Sequence, residues 1–171
     1  MGDKAHLKGF RGGVAYAAAN VAPTTARTWP LEIGSRVGEG HKRYDLVDVV
    51  MLRLMSHLTT SIPVAAGFVA AALNQVRDRL SQEVDRWLEV RLTPDNRWKW
   101  AGGPFLVLLP KRNGGAFSDP LFKPDGEIAD FLADRRTPAG VIVVALPRLI
   151  NAAEISIENV LMGNKPAFED A

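Results

Sequence analysis

Two prolines set the tightest local limit on how this chain can fold. Pro23 suits the first position of a helix, where its missing N–H would go unbonded anyway, and Pro30 stops that helix one or two residues earlier. Upstream, Gly12-Gly13 opens the apolar run Val14 to Ala22. Val14, Ala17, Ala18 and Val21 fall at i, i+3, i+4 and i+7, one face of a short helix. Asn20 is its natural terminator, because asparagine tolerates the left-handed backbone that ends helices. The spacing therefore predicts two short helices joined by about three residues, the layout of a helix-turn-helix.

Downstream the character changes. Gly34, Gly38 and Gly40 punctuate LEIGSRVGEGHKRY, residues 31–44, and two extended runs flank Val37-Gly38-Glu39-Gly40, which reads as a hairpin. Asp45 then caps a helix, LVDVVMLRLMSHL, whose apolar positions cover so much of its circumference that it reads as the buried spine. A second helical pattern runs from Val64 to about Leu92, with Phe68, Leu73, Val76, Leu80, Val84, Trp87 and Leu88 at helical spacing. That is long for one globular helix. Either it breaks near Gly67 or Asn74, or its second half stands out to pair with a partner chain. Beyond it, PFLVLLP and GVIVVAL read as buried strands (105–109 and 140–146), and residues 111–126 as a loop. A short helix is expected over 127–133. A longer one starts at Pro147, with Leu149, Ile150, Ala153, Ile157, Val160 and Leu161 as its stripe and Gly163 as its C-cap.

Composition narrows the classes. With 47% hydrophobic and 23% charged residues, the chain is globular rather than disordered. It has no cysteine, which excludes thiolate zinc sites, iron–sulfur clusters and a cysteine nucleophile. The N-terminus lacks a signal-peptide core and no run reaches membrane-span length, so a cytoplasmic, membrane-free protein is expected. The net charge of +2 is unevenly spread. Residues 1–60 hold eight Lys/Arg against five Asp/Glu, residues 61–100 six against five, and residues 101–171 seven against nine. Positive charge leans to the N-terminus, where a phosphate-facing surface would sit.

The segment VAYAAANVAPTTARTW followed by GHKRYDLVDVVMLRLMSHL resembles the DNA-binding domain of the MerR family of transcription regulators, over roughly residues 12–73. The resemblance implies a winged helix-turn-helix, usually dimeric, with its second helix in the major groove and its wing on the phosphate backbone. It implies Thr24, Thr25, Arg27 and Thr28 on the recognition helix, and Arg36, His41, Lys42, Arg43 and Tyr44 on or beside the wing. Physical chemistry agrees. An arginine can fork onto guanine and threonines can meet base edges or thymine methyls, while basic wing residues position the protein on phosphates. The link from recognition helix to wing is shorter than in many members. Such trimming also occurs in small DNA-binding proteins of phages and mobile elements, such as excisionases and small terminase subunits.

The expected fold is α+β: a mostly helical winged helix-turn-helix (1–73), a linking or dimerisation helix (74–97), and a small α/β region (98–171) for dimerisation or for an effector or partner. The expected function is a sequence-specific, homodimeric DNA-binding transcription regulator, nucleoid-associated, meeting duplex DNA and a protein partner such as RNA polymerase or a phage factor. The alternatives are a phage or mobile-element DNA-binding protein (excisionase-like or small-terminase-like) and, from another class, a non-DNA ligand- or protein-binding module. Enzyme motifs (G-x-S-x-G, a P-loop, H-E-x-x-H) are missing, and the paired glycines lack nucleotide-fingerprint spacing, so no enzyme and no cofactor is expected. His41 and His57 form no metal pair with a carboxylate, so no metal is expected. Asp119, Asp125, Glu127 and Asp130 read as a solvated acidic loop, and Trp87, Trp98 and Trp100 as packing or dimer contacts rather than a ligand cage.

Overall fold

The computed structural model describes residues 7–36, 40–61, 64–90, 104–109, 111, 117, 120–134, 136–137 and 140–164. Among these the chain is mixed α+β, with seven helices and two small antiparallel sheets. The N-terminal elements in order are β1 (Phe10–Arg11), α1 (Gly12–Ala19), α2 (Pro23–Thr28), β2 (Arg43–Tyr44) and α3 (Leu46–Ser61). Then follow α4 (Ala66–Gln75), α5 (Arg77–Val90), β3 (Phe105–Leu108), β4 (Leu121–Lys123), α6 (Asp125–Ala133), β5 (Ile142–Ala145) and α7 (Leu146–Leu161).

The two short helices form where the punctuation requires. Asn20 takes the left-handed conformation, and its N–H and that of Val21 bond the carbonyls of Ala17 and Tyr16, closing the end of α1. The buried face is rotated from the expected one. Ala15, Ala18, Ala19 and Val21 are inside and Val14 is partly buried against them, while Ala17 is exposed. Pro23 opens α2, which buries only Ala26.

The spine is α3, with Leu46, Val49, Val50, Met51, Leu52, Leu54, Met55 and Leu58 buried and α1, α4, α5 and α7 packed around it. Its start is a reciprocal cap. Asp45 Oδ1 accepts the Asp48 N–H and Asp48 Oδ2 accepts the Asp45 N–H, each at 3.0 Å, with Asp48 in the place a glutamate usually takes. The long helical pattern breaks at Val76, close to the Asn74 alternative, while Gly67 lies within the first turn of α4. Asn74 reaches sideways to other backbone at this point. The expected end of the pattern near Leu92 lies outside the described residues.

The second sheet runs β4-β3-β5, antiparallel throughout, with Leu106 opposite Phe122 and Val144. β3 and β5 fall within the expected apolar runs. β4 corrects the reading of 111–126 as loop, since three residues too few to show a period find a partner edge on β3. Likewise Asp125 and Glu127 start α6, where acidic side chains oppose the helix dipole's positive end, rather than sitting in a loop. The run 93–103, with Trp98 and Trp100, and also Asp119, lie outside the described residues. Helix α7 ends in a Schellman arrangement: Gly163 is left-handed, its N–H meets Val160 O, and Asn164 N–H meets Asn159 O. Leu146, Ile150, Ala153 and Ile157 of α7 pack on both α1 and α3, so the C-terminal helix closes the core around the N-terminal elements. Leu161, expected on its stripe, is exposed. No described helix is long and apolar enough to cross a membrane.

Candidate nucleic-acid interface

The expected site residues gather around a two-strand ribbon and α2. β1 and β2 pair antiparallel with Phe10 opposite Tyr44 and Arg11 opposite Arg43, and Ser35 bridges to the other side of Arg43. The Ser35–Arg43 pair exchanges both backbone hydrogen bonds at 2.8 Å, which fits the expected hairpin; its tip, 37–39, is outside the described residues. Alternation gives the ribbon two chemically opposite faces. Phe10 and Tyr44 turn inward, 7% and 6% exposed, while Arg11 and Arg43 turn to solvent.

Tyr44, expected on or beside the wing and partly in the core, is buried. Its ring meets Tyr16 edge-on with centroids 5.7 Å apart, and the two hydroxyls share a hydrogen bond of 2.9 Å. Burial first, and the Tyr16 hydroxyl second, push the Tyr44 phenol well above its ordinary range, so it stays protonated. The Arg27 charge acts in the opposite direction, and α2 and both ribbon strands pack on α1. Gly34 makes this packing possible. It has φ +70°, and a Cβ there would lie 3.0 Å from the Tyr44 ring and 3.3 Å from Arg43 O. Tyr44 is therefore the floor of the surface.

The other expected residues are all exposed: Thr24, Thr25, Arg27 and Thr28 on α2, and Arg36, His41, Lys42 and Arg43 around the ribbon. Three of them already have local partners. Thr28 Oγ1 donates to Thr25 O at 2.7 Å, Lys42 Nζ to Ile33 O at 3.1 Å, and Arg43 Nη1 to Gly9 O at 3.3 Å. These bonds hold the side chains against the surface and leave Arg27 as the arginine that projects from the last turn of α2.

The segment after α2 is clamped from the far side of the chain. Asn74 donates from Nδ2 to Pro30 O and accepts the Glu32 N–H at Oδ1, both at 2.9 Å. Arg77 Nε donates to Glu32 O at 2.9 Å, and its Nη2 meets Asp48 Oδ1 at 2.7 Å. The Asp48 side chain is 2% exposed, so this guanidinium neutralises a buried carboxylate while tying α5, α3 and residues 30–32 together. Burial first, and the neighbouring Asp48 charge second, raise the Asp45 carboxyl above its ordinary value.

Sequence reasoning missed Arg11 in the ribbon and the exposed Lys8 just before it, and missed Asn74 and Arg77 as supports. The signal for Arg11 was present. Phe-Arg at 10–11 mirrors Arg-Tyr at 43–44, which is how an antiparallel pair with one wet and one dry face looks when written out. The clamp had none, because it joins residues more than forty positions apart. From residue 7 to Tyr44 the described side chains include Lys8, Arg11, Arg27, Arg36, Lys42 and Arg43, all exposed, against Glu32 alone as an acid. Among the described residues no three His, Asp or Glu side chains converge as metal ligands. Searched against the profiles of known protein families, the chain matches none, and no curated protein matches it.

Proposed function

We propose that the chain binds duplex DNA in a sequence-selective manner through α2 and the β1–β2 ribbon, as a transcription regulator. One observation carries this reading: among the described residues from 7 to 44, six exposed basic side chains stand against a single acidic one, over a floor pinned by Tyr16, Tyr44, Asn74 and Arg77. In this reading α1 and α2 are a helix-turn-helix and the ribbon is its wing. Arg27 and the exposed threonines of α2 meet base edges in the major groove, and Arg36, His41, Lys42 and Arg43 meet phosphates. The proposal extends to a homodimer, with α5 and the C-terminal α/β region as the face for the second copy or for RNA polymerase or a phage factor, on the nucleoid. Binding to genomic fragments at two salt concentrations tests it. Selective binding should weaken steeply with salt, and Arg43→Ala should lower the log–log slope by about 0.9 with the preferred sequence unchanged. A parent protein that retains no DNA at low salt ends the proposal.

A further inference from the structure

We propose that Ser35, Arg43 and Arg11, aligned in one row across the ribbon, form a seat for a single backbone phosphate of the duplex. This rests on the DNA-binding reading above and adds to it residues of β1 and of the segment before the hairpin tip. Register is the first argument. Ser35 lies directly opposite Arg43, and Arg43 directly opposite Arg11, so the three side chains leave the same face of the ribbon. That face is the wet one, since the adjacent pair, Phe10 and Tyr44, is buried.

The second argument is electrostatic. Like charges directly opposite one another on a strand pair repel, and such a pair is normally separated or neutralised. Here, among the described residues, no carboxylate pairs with Arg11 or Arg43. Among the described residues the only polar partner of either guanidinium is the Gly9 carbonyl, 3.3 Å from Arg43 Nη1, which fixes the group in place without cancelling its charge. An anion between the two arginines removes the repulsion. A phosphodiester suits the row because its two unesterified oxygens can accept from both guanidinium groups, and its charge is shared between them. The Ser35 hydroxyl, exposed at the end of the row, supplies a neutral donor. The seat and the proposed reading helix are joined through α1, on which β1, β2 and α2 all pack. A phosphate held there would fix the angle at which α2 enters the groove.

The experiment uses the full chain and a mixed-sequence duplex, with affinity followed from about 50 to 200 mM salt for the parent, Arg11→Gln, Arg11→Lys and Ser35→Ala. Arg11→Gln should make the log–log slope shallower by about 0.9, and Arg11→Lys should keep the parental slope. Ser35→Ala should weaken binding while leaving the slope unchanged, since it carries no charge. Without DNA, Arg11→Gln should melt at or above the parental temperature, because it relieves the repulsion. If the parent binds and Arg11→Gln shows the same slope, the seat is refuted while the DNA-binding reading stands. A clearly lower melting temperature for Arg11→Gln also refutes it, since the arginine would then be a structural element. Parental affinity in Ser35→Ala removes the hydroxyl from the seat. If the parent binds no DNA, the underlying reading fails and takes the seat with it.

Discussion

The molecule contains two small antiparallel sheets that use the same backbone pairing for different ends. In the β4-β3-β5 sheet the central strand buries Leu106, Val107 and Leu108, and cross-strand partners such as Phe122 and Val144 are apolar too. In the β1–β2 ribbon only one face is apolar, and the other carries two arginines side by side. The first sheet is held by apolar burial. The ribbon, too short to bury much, is held by a tyrosine pair, a glycine with positive φ and a clamp of hydrogen bonds from α4 and α5. A sheet that supports itself can be apolar on both sides. A sheet braced from beneath can spend its outer face on charge.

Three substitutions probe that contrast, beginning with the largest effect. Leu106→Ala removes a fully buried side chain from the central strand and should destabilise the protein by about 2–5 kcal/mol in urea unfolding. DNA affinity, measured where the variant is still folded, should be unchanged; a loss would mean that the two sheets are not independent. Arg77→Ala breaks the pair with buried Asp48 and the tie to Glu32. Because the arginine is 30% exposed, the cost should fall near the low end of that for a buried pair, about 3 kcal/mol. Here affinity should fall along with stability, since residues 30–32 lose their anchor. Unaltered affinity would show that the ribbon does not depend on this brace.

Asp45→Asn should have the smallest effect and bears on the brace through pH. The folded-state pKa of Asp45 is raised, so the folded chain binds its proton more tightly than the unfolded one, and stability from this group rises as pH falls toward the raised value. At neutral pH the charged form costs stability. Asparagine caps as well as aspartate does, so the variant should be equal to or slightly more stable than the parent at pH 7. That difference should shrink as the parent's carboxyl is protonated. A variant clearly less stable at pH 7 would mean that the charge supports the cap.

Much of this architecture was legible in the sequence, for identifiable reasons. Pro23, Asn20 and the apolar runs at 105–109 and 140–146 are local signals, and β3 and β5 form within those runs. The missed parts depend on distant partners. β1 and β4 have two and three residues, too few for a period, and each exists because another strand offers an edge. That Tyr44 is partly core was legible, but its partner Phe10, over thirty positions earlier, was not. Of the candidate interface, the exposed residues of α2 and the wing were named from sequence. Their neighbours Arg11 and Ser35, and the supports Asn74 and Arg77, became visible only with the pairing and the hydrogen bonds.

The central claim, that α2 and the ribbon together meet duplex DNA, is tested most directly by selecting from a pool of random duplexes and sequencing what the parent and Arg27→Ala retain. The account predicts that the parent enriches a defined motif and that Arg27→Ala loses preference at particular base pairs, at about 1–3 kcal/mol each, while the rest of the motif persists. A parent that enriches no sequence, or an Arg27→Ala protein that selects the parental motif unchanged, would contradict it.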